Sequence, residues 1–137
     1  MTAFYNNYLK FKIPLGWCTE ENEDTLLIYK PDGEGAIVTS FLSLLDADTS
    51  LEEKMCIMAK KFIDKNNIKL NEPLILANTQ YKKVVLRGTG KTSDGWFIGI
   101  WLIAKRPKVV IASYQAAKRT KEFEVCNSII ESMEFSF

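Results

Sequence analysis

The sequence predicts an α+β domain in which an antiparallel β-sheet of about six strands is flanked by two amphipathic helices. Three observations support this fold class. Segments with a two-residue hydrophobic period alternate with segments of helical period, in the order strands, helix, strands, helix. The strands that follow the first helix are joined by short turns, which favours antiparallel pairing. The segment 96–104 is apolar on both faces and therefore needs cover on both sides of the sheet.

The N-terminal third of the chain predicts three strands. Residues 8–13 alternate between polar and apolar side chains as far as Pro14, which cannot donate to a ladder and marks a strand end. After an acidic turn, residues 25–30 form a second strand that ends at the Pro-Asp-Gly turn of residues 31–33. Residues 36–44 are rich in β-branched and apolar side chains and form the third strand.

A helix is predicted over about residues 51–66. Ser50 and Glu53 have the spacing of a capping box, in which the serine accepts an N–H of the first turn and the glutamate reaches back to the N-cap. Apolar side chains then recur at spacings of three and four residues, as on an amphipathic helix. These side chains are Leu51, Met55, Met58 and Phe62, widened by Cys56, Ala59 and Ile63.

The second half of the chain predicts a strand meander followed by a second helix. Residues 73–77 form a short strand, and longer strands follow at 81–89, 96–104 and 109–115, with an Asp-Gly hairpin signal between the first two of these longer strands. The second helix is predicted over about residues 121–132. Its N-cap and its apolar side chains are, in chain order, Thr120, Phe123, Cys126, Ile129, Ile130 and Met133.

The strand at 96–104 decides how the layers are arranged. One face carries Trp96, Ile98, Ile100 and Leu102, and the other carries Phe97, Trp101 and Ile103. One amphipathic helix on each side of the sheet would cover both faces, whereas two helices on the same side would leave an apolar surface exposed.

Composition and charge restrict the class of protein. The 137 residues are enough for one domain, 1–137, with a sizeable core. The formal net charge of +1 gives no overall field that would draw the protein to nucleic acid. The longest apolar run, 96–104, is well short of the roughly 20 residues that a membrane-spanning helix needs. The N-terminus has neither the basic start nor the apolar core of a signal peptide, so we expect a cytoplasmic protein.

The sequence predicts no metal, cofactor or catalytic site. There is no histidine, and Cys18, Cys56 and Cys126 are widely spaced, so we expect free thiols in a reducing cytoplasm rather than a zinc site. A nucleophilic cysteine usually needs a neighbouring base, most often histidine. Cys56 and Cys126 fall on the apolar stripes of the two helices, which predicts that both are core residues, while Cys18 lies near a strand end. We therefore expect that the protein is not an enzyme.

Two short motifs imitate ligand-binding loops without completing them. Residues 88–92 read Gly-Thr-Gly-Lys-Thr, but Val85 replaces the first glycine of a phosphate-binding loop, and a turn and a strand follow instead of a helix. Residues 46–50 resemble the start of a calcium loop, but Leu51 replaces its glycine and Ile57 its final glutamate. We interpret the first motif as a solvated hairpin tip and the second as acidic residues favoured at a helix N-terminus.

Two basic clusters, at residues 105–108 and 118–121, lie on either side of the last strand. The strand between them spans roughly 30 Å at the usual rise per residue, so the clusters cannot act on one phosphate together. We interpret them as solvated turns, with contact to an acidic partner surface as the alternative.

The candidate partner-binding residues are aromatic or large and apolar. Phe97, Trp101 and Ile103 share one face of the central strand, and Tyr114 on the neighbouring strand can join them. Trp17, which follows the Pro-Leu-Gly turn, can bury a large apolar surface over the sheet. These five side chains form either core beneath a helix or part of an open groove for a partner peptide, a helix or a second subunit.

Several segments, in order, resemble the PsbP-like families, which include PsbP, Mog-type and DcrB-like proteins. The resemblance covers nearly the whole chain and rests on short motifs that are mostly structural. It implies an α-β-α sandwich around an antiparallel sheet and, since these families are largely non-enzymatic, no catalytic residues. The segments are FKIPLGW (11–17), GAIVTSFLSL (35–44), SLEEKM (50–55), GWFIGIWLIAK (95–105) and IIESMEFSF (129–137).

Two hypotheses on function follow from the sequence. The first is a non-catalytic protein-binding domain, either an adaptor or, as the resemblance to some bacterial members implies, a chaperone-like protein that cradles apolar helices of a partner or associates with itself. The alternative is a small-ligand carrier or enzyme with an aromatic-lined pocket at Trp96 or Trp101. An open apolar face would favour the first hypothesis, and a closed pocket with convergent polar groups would favour the second.

Overall fold

The computed structural model describes residues 2–5, 9–44, 50–78 and 83–136 of the chain. The N-terminal strands are β1 (Thr2–Tyr5), β2 (Leu9–Lys12), β3 (Cys18–Glu21), β4 (Thr25–Tyr29) and β5 (Ala36–Ser43). Helix α1 (Leu51–Lys65) is followed by β6 (Lys69–Leu70), β7 (Ile75–Asn78), β8 (Val84–Lys91), β9 (Phe97–Lys105) and β10 (Lys108–Ala116). Helix α2 (Lys121–Glu131) and β11 (Glu134–Phe135) complete the order.

The main sheet is antiparallel and places its strands in the order β3-β4-β5-β10-β9-β8-β6, with β7 also paired to β8. In the described part of the chain it has eight strands, so the prediction of about six was too low. Two strands gave no clear period in the sequence. Strand β6 spans only Lys69–Leu70, and the acidic residues that suggested a turn contribute to β3.

A second, three-stranded sheet contains β1, β2 and β11, with β2 in the middle. The strand predicted at residues 8–13 therefore forms as β2 but does not join the main sheet. Its side chains Leu9 and Phe11 are buried in the same cluster as the apolar side of α2. The small sheet thus extends the cover that α2 provides.

Helix α1 covers one face of the main sheet. Met55 and Ala59 are fully buried and pack in one cluster with Leu102 of β9. The same face of β9 continues with Ile100, which packs with the partly buried Phe62. This is the apolar stripe that the three- and four-residue spacings predicted.

Helix α2 covers the opposite face of the sheet. Its buried residues Phe123 and Ile130 pack in one cluster with Trp101 and Ile103 of β9. Because successive residues of a strand point to opposite faces, this cluster and that of Leu102 lie on opposite sides of β9. The sheet therefore lies between the two helices, as the two-sided strand required.

Both helices begin at the predicted N-caps. The Ser50 hydroxyl accepts the N–H of Glu53 at 3.2 Å, and the Thr120 hydroxyl accepts the N–H of Glu122 at 3.3 Å. Each bond satisfies one of the N–H groups that have no intrahelical partner at a helix N-terminus.

The Gly-Thr-Gly-Lys-Thr motif belongs to a hairpin, but it lies mostly within β8 with Gly90 buried, so the prediction of a solvated hairpin tip was wrong for all but its last residues. The motif runs along β8 as far as Lys91, and the N–H of Thr92 donates to the carbonyl of Trp96 at 2.9 Å to close the turn. Gly95 in this turn has a φ of +85°, a conformation that favours glycine. Strand β9 follows the turn, so the motif does not precede a helix N-terminus as a phosphate-binding loop would.

The structure bears differently on the calcium-like segment and on the two basic clusters. The calcium-like residues 46–50 lie outside the described residues, except for Ser50. The basic clusters at 105–108 and 118–121 flank β10 at its two ends, as the sequence predicted.

The three free cysteines differ in their environments. Cys126 is fully buried on the sheet-facing side of α2, as predicted, and Cys18 is half-buried. Cys56 is exposed, so its prediction as a core residue was wrong: it lies about 100° around the helix axis from Met55, beyond the narrow side that α1 buries. Burial raises the pKa of the Cys126 thiol to about 12, and the nearby Glu122 carboxylate adds to this shift.

We expect the two faces of the sheet to contribute separately to stability. Trp101→Ala and Met55→Ala remove side chains that are 1% and 0% exposed, so they should lower the free energy of unfolding by about 3–5 and about 2–5 kcal/mol respectively. The control is Val38→Ala, at a side chain that is 40% exposed, which should cost about 1 kcal/mol or less. Urea denaturation followed by circular dichroism measures all three. A cost as small as that of the control for either core variant would contradict two-sided packing.

The thiols should react in the order of their exposure. In the native protein, Ellman's reagent at mildly alkaline pH should modify Cys56 rapidly and Cys126 only after unfolding, because the Cys126 thiol is buried and remains protonated below its raised pKa. Mass spectrometry of proteolytic peptides identifies which thiol has reacted. Equal modification of both thiols in the native protein would show that α2 does not cover the sheet as described.

Candidate functional site

A groove lies between α2 and the β8 side of the main sheet. It consists of two adjoining cavities of about 210 Å³ and 360 Å³, which share Ile75, Arg87, Trp101 and Asn127. The smaller cavity extends towards the beginning of α2, and the larger cavity extends towards its end. We call the two cavities together the α2–β8 groove.

The groove forms because α2 does not fully cover β8. The positions of β8 that face α2 are Val85, Arg87 and Thr89, and all three are only half-buried. Across the ladder, Arg87 pairs with Trp101 and Val85 with Ile103, and both of these β9 residues are buried. Helix α2 therefore covers β9 but not all of β8, and the groove runs along the boundary between the covered and the uncovered strand.

Trp101 forms a rigid floor for the groove. Its indole N–H donates to the Asn127 side-chain oxygen at 2.8 Å, which satisfies the one polar atom of a side chain that is 1% exposed. Its ring stacks on Phe123 with a centroid distance of 5.6 Å and an interplanar angle of 24°. Floor residues from β9 and α2 are thus held in place by packing and by a hydrogen bond.

Two arginines stand at the rim of the groove, each next to a carboxylate. Arg87 lies 3.4 Å from the Glu131 carboxylate, and Arg119 lies 3.1 Å from that of Glu124. The Arg119 guanidinium also lies over the Phe123 ring, 4.9 Å from its centroid. All four charged side chains are between 43% and 60% exposed, so each ion pair contributes only about 0–1 kcal/mol to stability.

Lys83 closes the end of the groove near the C-terminus of α2. Its ammonium donates to the carbonyl of Met133 at 2.8 Å, which ties the start of β8 to the residues that follow α2. Partial burial lowers the pKa of Lys83, and the carboxylates of Glu134 and Glu131 oppose this shift. We assign Lys83 a mainly structural role because its ammonium already holds these two elements together.

A second polar cluster ties the beginning of α2 to the turn before β5. The Glu122 carboxylate accepts the Tyr114 hydroxyl at 2.8 Å and the N–H groups of Glu34 and Gly35 at 3.0–3.1 Å. A Cβ at residue 35 would overlap the carbonyl oxygen of Gln115, so only glycine permits this close approach. Burial, followed by the hydrogen bond to Glu122, raises the pKa of Tyr114 and keeps its hydroxyl protonated. This cluster therefore ties the beginning of α2 to β10 and to the turn before β5.

The five predicted partner-binding residues are all buried. Phe97, Trp101, Ile103, Tyr114 and Trp17 have between 0% and 9% of their surface exposed and belong to the cluster that α2 and β2 cover. Of the two arrangements that the sequence left open, their positions match core beneath a helix, and their role in partner binding stays a prediction. Of the five, Trp101 lines both cavities of the groove.

Of the four residues that line both cavities, the sequence reasoning missed three, namely Ile75, Arg87 and Asn127. Arg87 is a charged residue on the same face of its strand as Val85, and Asn127 lies beside the apolar stripe of α2. These are detectable signals, but they indicate a shared site only once β8 and α2 are known to be neighbours. Trp96, the other residue suggested for a pocket, is 43% exposed near the β8–β9 turn.

The described residues show neither a metal-binding cluster nor a membrane-spanning helix. These residues contain no group of three or more His, Cys, Asp or Glu side chains that could hold a metal ion. Across the same ranges, no helix combines the length and the hydrophobicity needed to cross a membrane.

The overall structure is similar to that of cyanobacterial PsbP (CyanoP) from Synechocystis sp. PCC 6803, with a TM-score of 0.73 at 9% sequence identity, over 98% of this chain and 91% of that chain. It is also similar to a protein from Bacteroides thetaiotaomicron VPI-5482, with a TM-score of 0.55 at 14% identity. That match covers 94% of this chain, which spans slightly less than half (45%) of the Bacteroides chain. No protein-family model and no curated protein matches the sequence. At these identities the similarity concerns the fold alone, and it confirms the resemblance found in the sequence: the chain has a PsbP-like fold.

Proposed function

We propose that the protein is a non-catalytic, adaptor- or chaperone-like domain that binds a segment of another protein in the α2–β8 groove. The observation that carries this proposal is an open groove whose floor is buried core and whose rim is charged. Such a surface combines an apolar anchor site with polar groups at its edge, as the binding surfaces of protein partners do.

The lining of the groove suits the side chains of an extended segment. Ile75 at its edge is 50% exposed, so apolar surface is available to a partner without any movement of α2. The floor at Trp101 and Phe123 is held in place before binding, which lowers the entropy that a partner must lose. The cavities of about 210 Å³ and 360 Å³ adjoin one another, and an extended segment can place neighbouring side chains in them.

The state of the polar groups supports a non-catalytic role. Burial keeps the pKa of the Cys126 thiol near 12, and Tyr114 remains protonated, so neither side chain is an activated nucleophile. The Glu124 and Glu131 carboxylates at the rim of the groove are exposed and paired with arginines. A carboxyl group that acts in general acid–base catalysis has to lie within hydrogen-bond reach of a bound substrate, and these two are engaged with arginines at the surface.

The cysteines support our proposal that the protein acts in the cytoplasm. Cys56 is an exposed free thiol, and Cys18 is a half-buried one. Exposed thiols persist in reducing compartments and are oxidised or paired elsewhere.

One observation favours a small-ligand carrier as the second candidate function. Arg87, Arg119 and Asn127 all line the smaller cavity, together with the ring of Phe123. Convergent polar groups beside an aromatic floor are typical of pockets for small molecules. The exposure of Ile75 favours the protein-binding function, because a carrier would enclose its ligand more completely.

Substitution of an exposed isoleucine in the groove should abolish partner binding. Ile75→Asp places a charge beside the apolar floor, while the control Ile57→Asp alters a side chain of nearly equal exposure, 52% against 50%, on α1. In affinity capture from a lysate of the source cells, a partner retained by the wild type and by Ile57→Asp should be lost with Ile75→Asp. We expect at least about a ten-fold loss, equivalent to about 1.4 kcal/mol.

Two results of this experiment would contradict the proposal. Equal retention by both variants would place the docking surface outside the groove. A wild-type protein that retains no partner, and that is a strict monomer in size-exclusion chromatography with light scattering, would argue against any protein-binding function, including self-association.

A further inference from the structure

We infer that the α2–β8 groove selects a peptide segment in which an acidic side chain neighbours an aromatic or large aliphatic one, with Arg87 and Arg119 binding the carboxylate. This inference rests on the proposed function and names the chemistry of the partner. It is carried by the positions of the two arginines and by the state of the hydrogen bonds that they make.

The two arginines line one cavity although they come from different elements. Arg87 belongs to β8, and Arg119 lies immediately before the N-cap of α2, yet both line the cavity of about 210 Å³. Among the described residues, Arg87 donates from Nη1 to Glu131 and Arg119 from Nη2 to Glu124. A guanidinium carries five N–H donors, so most donors of both arginines remain for a ligand. A single guanidinium can bind a carboxylate through two parallel hydrogen bonds, and a second guanidinium at the same cavity offers further donors.

The present partners of the arginines can be exchanged for a ligand. Glu131 and Glu124 are each 60% exposed, and exposed ion pairs contribute little to stability. A ligand carboxylate seated deeper in the groove would meet both arginines where less water screens the charges. Glu131 and Glu124 thus hold the guanidinium groups near the groove until a ligand carboxylate that binds more tightly replaces them.

The floor explains why the acidic side chain needs an apolar neighbour. The Arg119 guanidinium lies over the Phe123 ring, and that ring stacks on Trp101. A carboxylate bound by Arg119 is therefore adjacent to aromatic surface. The next side chain of the same segment can then reach the apolar part of the groove near Ile75.

The charge balance favours one carboxylate over a phosphate group. With Glu124, which pairs with Arg119, three carboxylates balance three cationic side chains at the groove, namely Glu72, Glu124, Glu131, Lys83, Arg87 and Arg119. A ligand carboxylate with one negative charge can replace a paired glutamate charge for charge, whereas a phosphate with nearly two negative charges would add negative charge to the groove. The ligand that fits is accordingly an acidic peptide and not a phosphopeptide.

Selection from a library of random peptides displayed on phage tests the inference. The wild-type protein should enrich peptides with Asp or Glu next to Phe, Trp, Leu or Ile. A synthetic copy of an enriched peptide, labelled with a fluorophore, should bind Arg87→Gln/Arg119→Gln about ten- to hundred-fold more weakly, because hydrogen bonds between charged groups are lost. The control Lys60→Gln/Lys61→Gln removes two charges from α1 on the other face of the sheet and should leave binding unchanged. Thermal unfolding confirms that both double variants are folded.

The outcomes separate this inference from the proposed function. Enrichment of apolar peptides without acidic residues would overturn the inference and leave the proposed function standing. Failure to enrich any peptide would overturn both. Acidic peptides that bind the arginine variant as well as the wild type would overturn the assignment to Arg87 and Arg119. Phenylacetate that binds as tightly as the peptide would replace the peptide ligand with a small carboxylate.

Removal of the Glu131 carboxylate, which competes with the peptide for Arg87, should strengthen peptide binding instead of weakening it. Glu131→Gln should tighten binding of the same acidic peptide several-fold, because the variant removes the carboxylate that pairs with Arg87 among the described residues. The control Glu23→Gln makes the same charge change in the turn between β3 and β4, at the far edge of the main sheet, and should have no effect. Unchanged or weaker binding by Glu131→Gln would overturn the exchange of carboxylates at Arg87.

Discussion

Strand β9 imposes the constraint on which the rest of the structure depends. Its residues from Phe97 to Ala104 are buried, so both faces of this one strand must be covered by other elements. Burial stabilises by about 25 cal/mol per Å² of apolar surface, and a sheet with one wet face would lose that contribution for half of the strand. Helix α1 on the Leu102 side and helix α2 on the Trp101 side meet this requirement. The neighbouring strands β8 and β10 form the hydrogen bonds that the backbone of β9 needs.

The same constraint explains where the groove lies. A Cβ at Gly99 would overlap the Phe123 ring, so the glycine allows α2 to pack closely on β9. Phe123 stacks on Trp101, and Trp101 donates to Asn127, which fixes α2 over β9 and leaves β8 partly uncovered. The α2-facing positions of β8 are therefore free to carry a charged residue such as Arg87. The margin of the packed core becomes a surface with an apolar floor and a charged rim.

Features that depend on a local period or a cap could be predicted from the sequence, and features that depend on where elements meet could not. Spacing within one segment was enough for both helices, for the cap at Ser50 and for the two-sided strand β9. Cys56 was assigned wrongly because the width of a buried helix side depends on the sheet beneath it. Strand β6 is too short to show a period, and nothing local places β2 in a separate sheet. The groove was missed because Arg87 and Asn127 become neighbours only through the packing of α2.

At 9% identity and a TM-score of 0.73, this chain and CyanoP share a fold although few of their residues are identical. A binary pattern of apolar and polar positions specifies a fold for many sequences, and function then lies in particular side chains. The buried aromatic residues of this chain are required by the pattern, so their presence says little about binding. Arg87 and Arg119 are not required by it, because exposed ion pairs contribute little to stability and shorter polar side chains would fold as well. In the proposed protein-binding function, selectivity should therefore depend on the rim arginines more than on the core aromatics.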